Sequence, residues 1–293
     1  MATIRALQES RHPASARGQP VESKTESETD ITMGADPNNS LGTLSQPGAS
    51  ASLRENLEKL ETEMEEACRR AGRSRNDVEL MAVSKTYPAS TIAEAAALGL
   101  QLFGENRVQE FASKALHAGA LRELCGTQSL RVHLIGHLQS NKAARAVELF
   151  DAIDSLDSLR LAERLNDATA RLNKRLPVLL EVKLSAEETK EGLDPESADT
   201  ATLLERLPDL EHLHLQGLMT IAPWDVPEEQ TRACFRALRE IRDRWATVHP
   251  RLSFEVLSMG MSGDFPIAIA EGATRIRIGT ALFGKRQPYA GPR

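Results

Sequence analysis

Val78-Glu-Leu-Met-Ala-Val-Ser-Lys-Thr-Tyr-Pro88, followed by the helical pattern Thr91–Leu98, is the stretch whose reading decides the fold. Its first seven residues, Val78–Ser84, are mostly apolar, as a strand reads when helices cover it and neither face meets water. In Thr91–Leu98, Thr91-Ile-Ala-Glu94 has capping-box spacing and Gly99 marks the stop. A strand that hands over to a helix is one βα unit.

Outward from this unit the same alternation recurs. Strand-like runs are expected at Gln101–Gly104, Val132–Gly136, Ala152–Asp154, Val178–Leu184, Leu213–Ile221, Phe254–Met259 and Arg275–Ile278, which with the first makes eight. Helical patterns fall between them at Val108–Leu116, Asn141–Phe150, Ser158–Leu172, Ala198–Leu207, Glu228–Val248 and Pro266–Glu271, with Gly119 and Gly272 at further stops. Alternating strands and helices imply parallel strands with right-handed crossovers. Eight units in about 240 residues fit a closed (β/α)8 barrel of the TIM type. The rival, an open doubly wound sheet, asks for a GxGxxG turn after its first strand, and Ser84-Lys-Thr-Tyr-Pro88 is not one. Little chain remains after the eighth strand beyond Thr280-Ala-Leu-Phe-Gly284. An added N-terminal helix is expected in the place of the missing outer one, because Leu53, Leu57, Leu60, Met64, Ala67 and Ala71 recur at helical spacing up to Gly72.

The chain has 293 residues, 41% hydrophobic and 27% charged, with a formal net charge of −6. This balance excludes a strongly basic face for nucleic acid or anionic lipid. No apolar run nears the roughly 20 residues of a membrane span. Cys68, Cys125 and Cys234 lie far apart, which fits a reducing, cytoplasmic setting and neither a disulfide framework nor a structural zinc site. The first 50 residues are rich in Ser, Thr, Pro, Gly and Asn without periodicity. They are expected to be a disordered tail, 1–50, ahead of the barrel, 51–286, and a short C-terminal tail, 287–293.

Working residues in such a barrel lie at the C-terminal ends of the strands. That rule selects Ser84-Lys85-Thr86, Gly104-Glu-Asn106, Gly136-His137 with His133 one pleat earlier, Lys183, Met219-Thr-Ile221, Ser258-Met-Gly-Met-Ser262 and Arg277-Ile-Gly-Thr280. Small residues and glycines after strands seven and eight suit a phosphate, since they let backbone N–H groups approach an anion and add hydroxyl donors. Taken singly, Gly260, Gly263 and Gly279 also read as turn residues. Lys85 follows a strand that should be buried. A lysine that loses hydration there favours its neutral amine, which attacks carbonyls. The bland alternative is a solvated surface charge. An amine opposite a phosphate site fits a phosphorylated aldehyde bound as an imine, or a sugar-phosphate aldolase. Arg277, two residues before Gly279, leans toward the first, because a permanently charged guanidinium keeps a pyridine nitrogen unprotonated. Its alternative is a salt bridge with an acidic strand end. His212 and His214 alternate but have no third ligand at suitable spacing, so no metal is expected.

Ala82-Val-Ser-Lys-Thr86, Phe103-Gly-Glu-Asn106 with Val108-Gln-Glu110, His133-Leu-Ile-Gly136 with Leu138-Gln-Ser-Asn-Lys142, Gly217-Leu-Met219, Leu257-Ser-Met-Gly-Met-Ser262 with Asp264, and Ile276-Arg-Ile-Gly-Thr280 occur in this order from about Ser52 to Gly284. Together they resemble the pyridoxal 5'-phosphate (PLP) homeostasis protein family. The resemblance implies a single barrel like the N-terminal domain of alanine racemase, with PLP held as a Schiff base on Lys85. It implies a phosphate near Ser258, Ser262, Gly279 and Thr280, Arg277 near the pyridine nitrogen, and Asn106, His133 and Met219 as further cofactor contacts. The family is associated with supplying or buffering PLP, with apo PLP-dependent enzymes as recipients, and with no established turnover. A monomer or weak dimer is expected, without nucleic-acid or membrane partners. Four positions depart from the usual pattern, namely Tyr87, Arg107, His137 and Lys183.

An amino-acid racemase needs two bases on opposite faces of the substrate carbanion. Tyr87 and Tyr289 are the tyrosines available, one next to Lys85 and one near the C-terminus, and no second domain is read. The expectation is therefore a binding and delivery protein, with weak racemase activity as the enzymatic alternative.

Overall fold

All eight expected strands form, and they close on themselves. The computed structural model describes residues 47–117, 130–184 and 191–284, which belong to one compact unit. The strands are β1 (Glu79–Val83), β2 (Leu102–Glu105), β3 (Arg131–Leu134), β4 (Ala152–Leu156), β5 (Leu176–Glu181), β6 (Leu213–Met219), β7 (Val256–Ser258) and β8 (Arg275–Ile278). Each pairs in parallel with the next, and β1 pairs with β8 from Glu79 opposite Arg275 to Ala82 opposite Ile278. The reading of a (β/α)8 barrel holds.

The helices are α1 (Pro47–Arg70), α2 (Ala89–Ala97), α3 (Val108–His117), α4 (Ala143–Leu149), α5 (Leu159–Arg171), α6 (Ala198–Arg206), α7 (Glu228–Val248), α8 (Phe265–Ala270) and α9 (Thr280–Phe283). α7 shows why they lie against the sheet. Thr231, Cys234, Phe235, Leu238, Ile241 and Trp245 recur every three or four residues and are its buried positions. Ser158 and Ser197 cap α5 and α6 by accepting hydrogen bonds from Leu161 N and Thr200 N. α2 corrects the capping-box expectation. It starts at Ala89 with Pro88 at the N-cap and no side-chain cap, so Thr91 already lies within its first turn. The fixed φ of Pro88 suits the chain's entry into a helix. Gly119, residues 1–46 of the expected tail 1–50, and the whole of the expected tail 287–293 lie outside the described residues. No helix among the described residues is long and apolar enough to cross a membrane.

Among the described residues α9 is a single turn, and α1 packs against α8 and α9 as the outer layer beside them. Leu60, Met64, Ala67 and Cys68 are buried there, and Asn56 Nδ2 donates to Leu282 O at 3.0 Å.

Inside the barrel the packing turns polar. Along β8, Ile276 and Ile278 join the apolar layer beneath the helices, while Arg275 and Arg277 alternate onto the other face. Arg275 Nη1 reaches Asp154 Oδ2 at 3.3 Å, and β4 and β8 stand on opposite sides of the ring, so this contact crosses the interior. Where β6 passes β7 the backbones are too close for a side chain. A Cβ on Gly217, whose φ is +157°, would lie 1.9 Å from Val256 O.

Candidate functional site

The C-terminal ends of the strands surround an open cavity of about 630 Å³. That is ample for a cofactor-sized ligand. Six of the nine residues anticipated as cofactor contacts line it: Lys85, Asn106, Ser262, Arg277, Gly279 and Thr280. The loops after β7 and β8 meet there, with Ala281 N donating to Ser262 Oγ at 3.2 Å. Asn106 keeps its place because Gly136 lies against it. A Cβ at position 136 would come within 2.3 Å of the Asn106 carbonyl oxygen.

The other three, His133, Met219 and Ser258, are buried and do not line the cavity. His133 faces inward, and its Nδ1 lies 3.0 Å from Asp154 Oδ1. Burial raises the Asp154 carboxyl, but His133, Arg275 and Arg277 outweigh it and hold the group below the ordinary carboxylate range. Ser258 supports Arg277, whose Nη1 donates to Ser258 O at 2.7 Å and to its Oγ at 2.9 Å, while Nη2 donates to Thr220 O at 2.8 Å. These bonds fix the plane of a guanidinium that also faces the cavity. Met219 stands between Glu181 and Ser258 in the strand register.

Several residues and roles become visible here that the strand-end rule did not give. Glu181, the last residue of β5, lines the cavity at 7% exposure. Burial pushes its carboxyl up to about 7, against the pull of Arg277. Tyr87 lines the cavity, donates its hydroxyl proton to Gly284 O at 2.8 Å and packs its ring at a tilt against Phe283. The backbone around Lys85 is held by groups from β2 and α3. Ser84 Oγ donates to Glu105 Oε1 at 2.7 Å, Lys114 Nζ donates to Ser84 O at 3.0 Å, and Thr86 N donates to Glu110 Oε1 at 2.5 Å. Lys114 also pairs with Glu105 at 2.9 Å and with Glu110 at 2.8 Å. The Glu110–Lys114 pair had a legible signal, the i,i+4 spacing of opposite charges on a helix. The reach of that pair to Ser84 and Thr86 had none.

At the rim, His137 Nδ1 lies 3.0 Å from Asp157 Oδ2 and 3.8 Å from Glu191 Oε2. This is the group with metal-like spacing among the described residues. It does not involve His212, whose Nδ1 lies 3.1 Å from Lys174 O. Trp224 is 81% exposed at the cavity edge, and Trp245 is buried against Phe254.

Comparison with known proteins places this arrangement. Residues 55–287 match the family model of the alanine racemase N-terminal domain. The pyridoxal phosphate homeostasis protein of Haemophilus influenzae is 41% identical over 235 residues, covering 80% of this chain and 96% of the relative. The chain belongs to the pyridoxal phosphate homeostasis protein family. A solved structure of PipY of Synechococcus elongatus PCC7942, with PLP bound, is 42% identical with a TM-score of 0.69, covering 79% of this chain and all of that one. An alanine racemase from Clostridium difficile 630 is 16% identical with a TM-score of 0.61, over 82% of this chain and 58% of that one. That second likeness is one of fold.

Proposed function

We propose that this protein binds PLP, holds it covalently on Lys85, and serves intracellular PLP (vitamin B6) homeostasis as a carrier rather than as an enzyme. The observation that carries the reading is one cavity lined both by a lysine after β1 and by two small-residue loops after β7 and β8, β8 being the neighbour of β1 in the ring. The donor set fits the cofactor. The Lys85 amine answers its aldehyde. Ser262, Gly279 and Thr280 answer its phosphate with hydroxyls and backbone. The Arg277 guanidinium answers its ring nitrogen, with Ser258 bracing that guanidinium from behind. Asn106 contributes a further polar wall, while His133 and Met219 act from beneath through packing and the Asp154 pair. When bound, PLP supplies an aldehyde that condenses with the lysine amine with loss of water. Relatives named for PLP homeostasis and a PLP-bound relative support the assignment.

A carrier is favoured over a racemase by Tyr87, whose hydroxyl proton is engaged by a backbone carbonyl. A racemase needs a second base free to take a proton from the opposite face. The same proposal includes apo PLP-dependent enzymes as recipients, a monomer or weak dimer, a cytoplasmic setting, and a chain divided into a tail at 1–50, the barrel at 51–286 and a short end at 287–293. Cys68 and Cys234 are both buried, which accords with the cytoplasmic setting. The test is to mix the PLP-loaded protein with an apo PLP-dependent enzyme and to incubate it separately with L-alanine. Recovered activity of the recipient with no D-alanine supports the carrier. Turnover of about 1 per second or faster overturns it in favour of a racemase.

A further inference from the structure

Lys85 is gripped on both sides by groups that do not themselves line the cavity. Before it, Ser84 is held at its hydroxyl by Glu105 and at its carbonyl by Lys114. After it, Thr86 gives its N–H to Glu110. Thr86 has φ +70°, a left-handed conformation that a β-branched residue adopts only under outside constraint. That constraint is visible in the Glu110 carboxylate and in the turn closed by Tyr87 N on Ser84 O at 3.1 Å. Lys114 ties the two carboxylates together, so the grips before and after Lys85 form one unit. Glu105 is fully buried and Lys114 nearly so, which makes the unit rigid rather than a solvated surface pair.

We propose that Glu105, Glu110 and Lys114 are positioning residues for Lys85, holding Thr86 in its left-handed conformation and thereby fixing the direction in which the lysine side chain leaves the barrel rim. The inference rests on Lys85 being the residue that takes PLP. Direction matters because condensation requires the amine to meet the aldehyde along one approach, and a misdirected backbone loses rate even where the pocket is intact. The step itself forms a C=N bond between Lys85 Nζ and the aldehyde carbon and expels the carbonyl oxygen as water.

The strain supplies a discriminating test, because glycine adopts φ +70° without assistance. The full chain is mixed with PLP, and the rise of the yellow imine band and the melting temperature of the PLP-free protein are recorded for four variants. Glu110→Ala is expected to slow imine formation about tenfold with little change in melting temperature, the scale of one strained residue released. Glu110→Gln, which keeps an acceptor for Thr86 N–H, should stay within about threefold of the parent on the same scale. Glu110→Ala/Thr86→Gly should recover most of the lost rate, since glycine removes the need for the grip. Lys85→Ala reports on the underlying reading alone, and an imine that persists in it refutes the role of Lys85 whatever the others show. Parental kinetics in Glu110→Ala, or a defect that Thr86→Gly leaves in place, overturns the positioning role. Should Glu110→Ala fail to melt cooperatively, the Gln and double variants decide the question by the same criteria.

Discussion

Two buried carboxylates with opposite shifts show how single residues set the chemistry of this site. Glu181 keeps its proton to about pH 7 in the folded protein, against an ordinary value of 4.5. Across that window the unfolded chain has already lost the proton, so the folded state loses stability as pH rises. Glu181→Gln should therefore stabilise the PLP-free protein by up to roughly 3 kcal/mol at pH 8 and by almost nothing at pH 4.5, read from urea midpoints. An equal effect at both pH values would contradict the burial argument. Asp154 is shifted the other way, held low by His133 and Arg275, so its contribution is present above its ordinary value of 3.8 and fades as pH falls through its folded value. Asp154→Ala takes an acceptor from buried His133 and from Arg275, which keeps its pair with Glu79 at 2.8 Å, and should cost on the order of 3 kcal/mol at neutral pH by denaturant titration. Of these residues, His133 was legible from its place near the end of β3. Asp154 was not singled out, because its importance comes from Arg275 reaching it across the barrel, a contact between positions 121 residues apart.

At the scale of elements, the βα alternation was readable because strand and helix leave different periods in the chain. The strand ends were less so. β5 was expected at Val178–Leu184 and forms at Leu176–Glu181, because an apolar run sets no boundary of its own while pairing with β6 does. The capping-box pattern at Thr91 failed for a related reason, with Pro88 opening the helix earlier. α1 is the element whose role the spacing of apolar residues foretold best. Met64 is fully buried in its contact with the barrel, and Met64→Ala should lower stability by roughly 2–5 kcal/mol, read from the urea midpoint. A midpoint within error of the parent would mean that α1 does not complete the outer layer. Gly136→Ala tests the close approach of the β3 end to Asn106. The added methyl must displace the Asn106 backbone, so PLP affinity should fall about tenfold or more in a fluorescence titration while the barrel still melts cooperatively. Unchanged affinity would remove Asn106 from the pocket wall.

For the whole molecule, the closed ring brings β1 next to β8, with β7 beyond it, so Lys85 and the residues Ser262, Gly279 and Thr280 face one cavity although about 180 to 195 positions separate it from them in the chain. Motif order made the family legible, and the barrel rule selected eleven residues that line the cavity, six of them among the anticipated cofactor contacts. Glu105 was selected as a β2 strand end and Glu110 stood in a motif, but their grip on the backbone around Lys85 was not legible, nor were Lys114 and Glu181, since these act through folded neighbours rather than through spacing. The central claim is that one lysine carries the cofactor. Borohydride reduction of the PLP-loaded protein, followed by peptide mapping, addresses it directly. The account predicts the phosphopyridoxyl group on the peptide containing Lys85, in near-stoichiometric yield. Its appearance instead on Lys114 or Lys183, or a reduced protein carrying none, would contradict the account.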